Sequence, residues 1–141
     1  MTTLEKIISK YSFPKRDVYA TGNVNDVELY SKLKLPEDYI FYLENYHGID
    51  QFIGVEFINL WSLEEIIKTN INYNIVEKLQ QTIGIGSNGS GEFIGITWDQ
   101  NQNVRIILSP FIDLNTKHHI EIGTSFTDFL VRLDKGVDWF S

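Results

Sequence analysis

Cysteine is absent from this chain of 141 residues, so it has no disulfide framework, no thiolate nucleophile and no thiolate metal site. That absence fits a reducing compartment. No run of residues approaches the apolar length of a membrane span, and residues 1–10 lack the apolar core of a signal sequence. The expectation is a soluble, cytoplasmic protein with no membrane partner. No repeat, low-complexity tract or linker rich in Pro, Gly or Ser divides the sequence, so one domain over residues 1–141 is expected. Positive charge is also scarce. Twelve Lys and Arg stand against 19 Asp and Glu, a formal net charge of −7. Binding nucleic acid requires cations to neutralise phosphate, so this balance argues against direct nucleic-acid contact.

What is present is enough for a core. Hydrophobic residues make up 43% and aromatic residues 13%, a composition that folds. The acids are unevenly spread. Residues 35–67 hold Glu37, Asp38, Glu44, Asp50, Glu56, Glu64 and Glu65 with no Lys or Arg among them. If these carboxylates share a surface, it steers a basic partner toward itself. If they lie on a solvated helix face, they serve only solubility.

The first half of the chain reads as helical. Leu4, Ile7, Ile8 and Tyr11 form a short helical stripe that Pro14 closes. Asn25 is placed to cap a helix over 26–33. The segment 35–48, LPEDYIFYLENYHG, carries the clearest helix signals. Pro36 suits the first helical position, and Glu37 and Asp38 favour the positive end of the helix dipole. Tyr39, Tyr42, Leu43 and Tyr46 fall on one face, with the tyrosines expected half-buried and their hydroxyls at the rim. Gly48 stands where a left-handed cap is wanted. After it, 52–60 reads as one strand. Ser62 and Glu65 have capping-box spacing and predict a helix through Ile66 and Ile67. Residues 70–74 read as a polar turn, and 75–81 as a further helical turn.

The second half reads as strands. Residues 83–87 and 92–98 are predicted strands joined by Asn88-Gly89, a hairpin signal because both residues tolerate positive φ. Residues 99–103 form a polar turn, 104–108 a strand, and 119–122 an edge strand. Ser125 and Asp128 resemble a capping box ahead of Phe129, Leu130 and Leu133. Helices, then strands, then a closing helix predict an α+β fold, with a mainly antiparallel sheet packed by several short helices.

The helix pattern LP-x-x-Y-x-x-x-L-x-x-x-x-G over 35–48 resembles the signature of the SUKH superfamily. Other pieces follow in the same order: a strand at 52–60, Ser62 ahead of Glu65-Ile66, the glycine-rich 83–98, and Ser125-Phe126-Thr127-Asp128-Phe129-Leu130. Together they cover 24–133. One departure is His47-Gly48, where many relatives carry Asn-Gly. The resemblance implies a SUKH-like fold and a role as a bacterial immunity protein against a toxin, or as an interaction module in cell-wall regulation. It hands over no contact residues.

Other constellations favour structural readings. Residues 84–89 match G-x-G-x-x-G, but a strand follows where a dinucleotide site needs a helix, so no cofactor is expected. His47, His118 and His119 are the only histidines. On a strand, His118 and His119 would point to opposite faces, a poor chelating geometry, so no metal site is expected. No G-x-S-x-G elbow occurs, and no spacing singles out a catalytic carboxylate pair, so no enzyme activity is expected. Trp61, Trp98 and Trp139 are expected in the core. Trp98 beside Asp99 also has the makings of a hot spot for a basic partner. The functional expectation is a non-enzymatic immunity protein that blocks a basic toxin domain such as a nuclease. Charge clustering points to Glu37, Asp38, Glu44, Asp50, Glu56 and Glu64 as its contacts. The alternative is an intracellular scaffold or regulatory module without a toxin.

Overall fold

The computed structural model describes residues 1–140. Its elements run α1 (Thr3–Lys10), α2 (Val24–Ser31), α3 (Glu37–Asn45), β1 (Ile49–Ile53), β2 (Glu56–Leu60), α4 (Ile66–Tyr73), α5 (Ile75–Lys78), β3 (Thr82–Ser87), β4 (Glu92–Trp98), β5 (Val104–Pro110), β6 (Ile120–Gly123) and α6 (Phe126–Asp134). The strands form one antiparallel sheet in chain order, β1-β2-β3-β4-β5-β6. Every strand neighbours the next in sequence, so no crossover is needed. The expected α+β fold with an antiparallel sheet is what forms.

Local chemistry explains most helix ends. Thr2 and Glu5 make a reciprocal capping box on α1. Ser125 caps α6 by accepting from Asp128 N at 2.9 Å, as its spacing predicts. The α2 cap is Asn23 and not Asn25; its Oδ1 accepts from Asp26 N at 2.8 Å, and Val24 and Val27 are then buried. Pro36 sits one place before α3, as its cap residue. Gly48 does not cap α3. The helix ends into an extended Tyr46 (φ −130°), and the chain pairs at once with residue 15. Glycine is needed at 48 for another reason: a Cβ there would strike the Leu60 carbonyl and the Ser62 nitrogen. The Ser62–Glu65 box forms a turn just ahead of α4, with Ser62 N and Oγ both donating to the Glu65 carboxylate at 3.0 and 2.9 Å.

The predicted strand over 52–60 is two strands. Gly54 and Val55 form a two-residue turn, with Gly54 at φ +61°, which lets Ile53 pair with Glu56 and Phe52 with Phe57. At the second hairpin only Gly89 has positive φ (74°). Asn88 works through its side chain, accepting from Ser90 N at 3.0 Å and donating to Glu92 Oε1 at 2.7 Å. His118 ends a short 3₁₀ turn (Thr116–His118), so the two adjacent histidines precede β6 instead of alternating along it.

Residues 70–74 are not a polar turn: α4 runs through them to Tyr73. Asn70 is fully buried there. Its Nδ2 donates to the carbonyls of Ile66 and Gly84 (2.8 and 2.9 Å), and its Oδ1 accepts from Gly84 N at 2.8 Å. The β3–β4 register slips between Gly84 and Gly86, just past the point where β2 ends at Leu60. Asn70 supplies the backbone of Gly84 with partners at that irregularity.

One hydrophobic cluster unites the sheet with the helices. Its aromatic spine joins α3 to α6. Phe126 lies 5.1 Å from both Tyr39 and Tyr42, and Phe129 stacks on Trp139 at 6.3 Å. Tyr39 and Tyr42 are both buried, not half-buried. Burial pushes both phenol pKa values above their usual range. The Tyr42 hydroxyl donates to His47 O at 2.9 Å, whereas the buried Tyr39 hydroxyl has no partner. The two tyrosines should therefore respond oppositely. Tyr39→Phe is expected to hold or raise stability by up to about 1 kcal/mol, because it removes an unsatisfied buried group. Tyr42→Phe should cost about 1 kcal/mol by stranding the His47 carbonyl. Urea unfolding of both variants checks the pair.

Candidate protein-binding surface

The β1–β2 hairpin and the C-terminal turn meet at one end of the molecule. A Cβ on Gly54 would strike the Leu133 carbonyl, and the Glu56 carboxylate accepts from Trp139 N at 2.7 Å. This junction leaves large apolar side chains in solvent: Val55 at 59% exposure in the turn, Phe140 at 72%, and Phe52 at 63% on the outer face of β1. Phe52 packs edge-on against Phe57 (5.4 Å), which backs onto the Gly89 turn. Exposed aromatic and aliphatic groups gathered around one hairpin mark a surface that another macromolecule can cover. No single motif announced it. The available signal was Gly54 between two apolar runs, which is a hairpin signature.

The six acids singled out by charge clustering divide into two groups. Three have internal duties. Asp38 Oδ2 accepts from Thr127 N and Oγ1 (2.9 and 2.8 Å), tying α3 to α6. Glu56 holds the C-terminal turn. Glu64 accepts from Arg16 and from Gly22 N at 2.6 and 2.7 Å. Partial burial alone would raise the Glu64 pKa, but the Arg16 guanidinium and the Gly22 N–H outweigh it and hold the carboxyl below its usual range. The other three, Glu37, Glu44 and Asp50, are exposed. Glu37 and Glu44 lie two turns apart along α3. Asp50 lies on the same outer face of β1 as Phe52, facing Asn59, whose Nδ2 approaches at 3.3 Å.

Trp61 and Trp139 are buried, as expected. Trp98 is half-buried and lines two adjoining open clefts with Gln80 and Gln81. The charges around it do not suit a basic partner. Lys32 and Lys34 flank one cleft and Arg105 the other. Asp99 spends its carboxylate on its own turn, accepting from the Asn101 and Asn103 backbone (2.8 and 2.9 Å), bonds that hold its pKa low.

The glycines of 84–89 lie along β3 and its turn and lead into β4, not into a helix N-terminus. Among the described residues no group of three or more His, Cys, Asp or Glu is placed to hold a metal ion. His118 pairs with Asp113 at 2.8 Å, and His47 stands exposed beyond α3. Among the described residues no helix is long and apolar enough to cross a membrane.

These features define a class: an α+β domain whose antiparallel meander ends in an exposed, apolar edge hairpin. The model of the SMI1/KNR4 family (SUKH-1) matches residues 21–132, and the chain belongs to that family. No curated protein matches the chain.

Proposed function

We propose that this protein is a non-enzymatic, cytoplasmic immunity protein that binds a cognate toxin domain and blocks it without a cofactor. Membership in the SUKH-1 family supports the class of function. The observation that carries the reading is the exposed apolar hairpin bearing Phe52 and Val55, set in a stretch of chain without Lys or Arg. An exposed apolar hairpin that carries Asp50, on a chain rich in acids, suits the basic, substrate-binding cleft of a toxin such as a nuclease. Glu37, Glu44 and Asp50 are the carboxylates free to act across the interface. Asp38, Glu56 and Glu64 contribute through the internal bonds that hold the fold.

The test is protection. The C-terminal domain encoded by the neighbouring upstream gene is expressed in a tractable host, with and without this protein. Growth restored by co-expression, with a 1:1 complex on purification, is the expected result. Toxicity that persists would overturn the pairing, and a harmless but stably bound neighbour would favour the scaffold reading. Within such a complex, the triple variant Glu37→Lys/Glu44→Lys/Asp50→Lys should slow association by roughly 10- to 100-fold at low salt, with the difference shrinking as salt rises. Stopped-flow measurements read this directly, and an unchanged rate at low salt would sink the electrostatic account.

A further inference from the structure

The β1 strand is an edge of the sheet, and its register shows which backbone groups it leaves open. The Gly54-Val55 turn is closed by the Ile53–Glu56 pair. In a two-residue hairpin the closing pair exchanges backbone hydrogen bonds, and bonding then alternates along the ladder. Ile53, Gln51 and Ile49 therefore turn their N–H and C=O toward β2. Phe52 and Asp50 turn theirs outward. Among the described residues, no backbone or side-chain group bonds the main chain of Asp50 or Phe52 from that side. Residues 14–16 pair with 45–47, just before β1 begins; the chain leading into them is tied to β1 only through the Gln51 side chain, whose Nε2 donates to the Tyr11 carbonyl at 3.2 Å, which leaves the main chain of Asp50 and Phe52 unbonded.

Natural sheets usually blunt such an edge with lysine, proline or a bulge. β1 (IDQFI) is short and carries one charge, Asp50, but has no lysine, proline or bulge and pairs in unbroken register over its five residues. Its outer face offers a carboxylate at Asp50 and an exposed ring at Phe52, two residues apart. A strand laid along this edge would place alternate side chains beside them. The complementary pair is a cation beside Asp50 and an apolar group beside Phe52.

We propose that β1 is a strand-addition site. An extended segment of a protein partner, with Lys or Arg beside Asp50 and an apolar residue beside Phe52, extends the sheet by pairing with the main chain of Asp50 and Phe52. This rests on the protein-binding reading of the hairpin and specifies how the partner is held.

The probe is a capped heptapeptide, Thr-Lys-Thr-Val-Thr-Lys-Thr, whose Lys and Val share one face when extended. It is titrated to about 1 mM, the range of weak recognition, into the ¹⁵N-labelled full chain. The expected result is amide-exchange protection of Asp50 and Phe52 by about tenfold, with Gln51 and Ile53 unchanged because the ladder already protects them. Asp50→Pro has no amide to read at position 50, so its test is Phe52, whose protection it should abolish. Proline on the solvent side of an edge costs no ladder bond, so the fold should survive, which circular dichroism checks. Asp50→Asn should weaken the peptide at low salt yet leave the protection pattern intact.

No protection at Asp50 and Phe52, protection located elsewhere, pairing of the edge with a second copy of this chain, or peptide binding unaffected by Asp50→Pro would each overturn the proposal. The outcome is separable from the immunity reading. Toxin protection without peptide pairing removes strand addition alone. Peptide pairing without toxin protection leaves the site standing and removes the toxin.

Discussion

Asn70→Leu is expected to destabilise the protein by about 3–5 kcal/mol, a large share of the 5–15 kcal/mol available to a domain of this kind. Leucine keeps asparagine's branched shape but is larger, so no cavity opens; the cost comes from the lost hydrogen bonds, with overpacking added to it. The substitution leaves the N–H and C=O of Gly84 without the Asn70 side chain that bonds both. It also removes the bond to the Ile66 carbonyl. Water cannot readily replace these partners, because the side chain is fully buried. Glycine is matched to the same site: a Cβ at 84 would meet the Ile75 Cδ1 at 2.8 Å and crowd Trp61. Asn70→Asp separates the contributions. It keeps an acceptor opposite Gly84 N–H but turns a second acceptor toward two carbonyls, so at neutral pH it should cost at least as much. Urea denaturation midpoints measure both variants. A loss below about 1 kcal/mol for Asn70→Leu would show that β3 holds its irregular register without α4.

Gly54→Ala should be the most damaging change in the binding hairpin, at about 2–4 kcal/mol. It has two separable causes. The φ of +61° is strained for any residue with a Cβ. That Cβ would also strike the Leu133 carbonyl, a backbone atom at the end of α6 that cannot swing aside. Relief requires the hairpin to lift away from α6, which would pull on the Glu56–Trp139 bond. Gly54→Asn tolerates the positive φ better but carries the same Cβ, so the difference between the two variants isolates strain from contact. In a chain of this size each kcal/mol lowers the melting temperature by roughly 3–5 °C. A melting temperature within about 2 °C of the parent for Gly54→Ala would show that hairpin and helix are not coupled there.

Much of the helical structure was legible because its signals are local. The Tyr39, Tyr42 and Leu43 stripe and the Ser125 cap act within one turn of chain, and each forms where its spacing places it. The Thr2–Glu5 capping box is a local signal of the same kind, with Ser/Thr-x-x-Glu spacing at residues 2–5. The α2 cap shows the limit of local reading. Asn23 and Asn25 are both competent caps, and only burial of Val24 and Val27 decides between them. The single strand over 52–60 failed for a related reason. Apolar residues on both sides of Gly54 look continuous until its positive φ turns the chain back on itself.

Sequence alone was enough for the α+β class, a mainly antiparallel sheet, the absence of thiol chemistry and a stretch of 33 residues (35–67) that holds acids and no cations. These follow from side-chain periodicity, turn chemistry and composition, which need no distant partner. The tertiary structure alone decided which acids are free. Asp38, Glu56 and Glu64 meet partners 89, 83 and 48 residues away. It alone turned Asn70 from a polar loop residue into a buried clamp on Gly84, and it alone left Phe52 and Asp50 on an open edge. Hydrogen-bond satisfaction and burial are properties of neighbours in space, and which neighbours a residue acquires is settled only when helices and sheet pack.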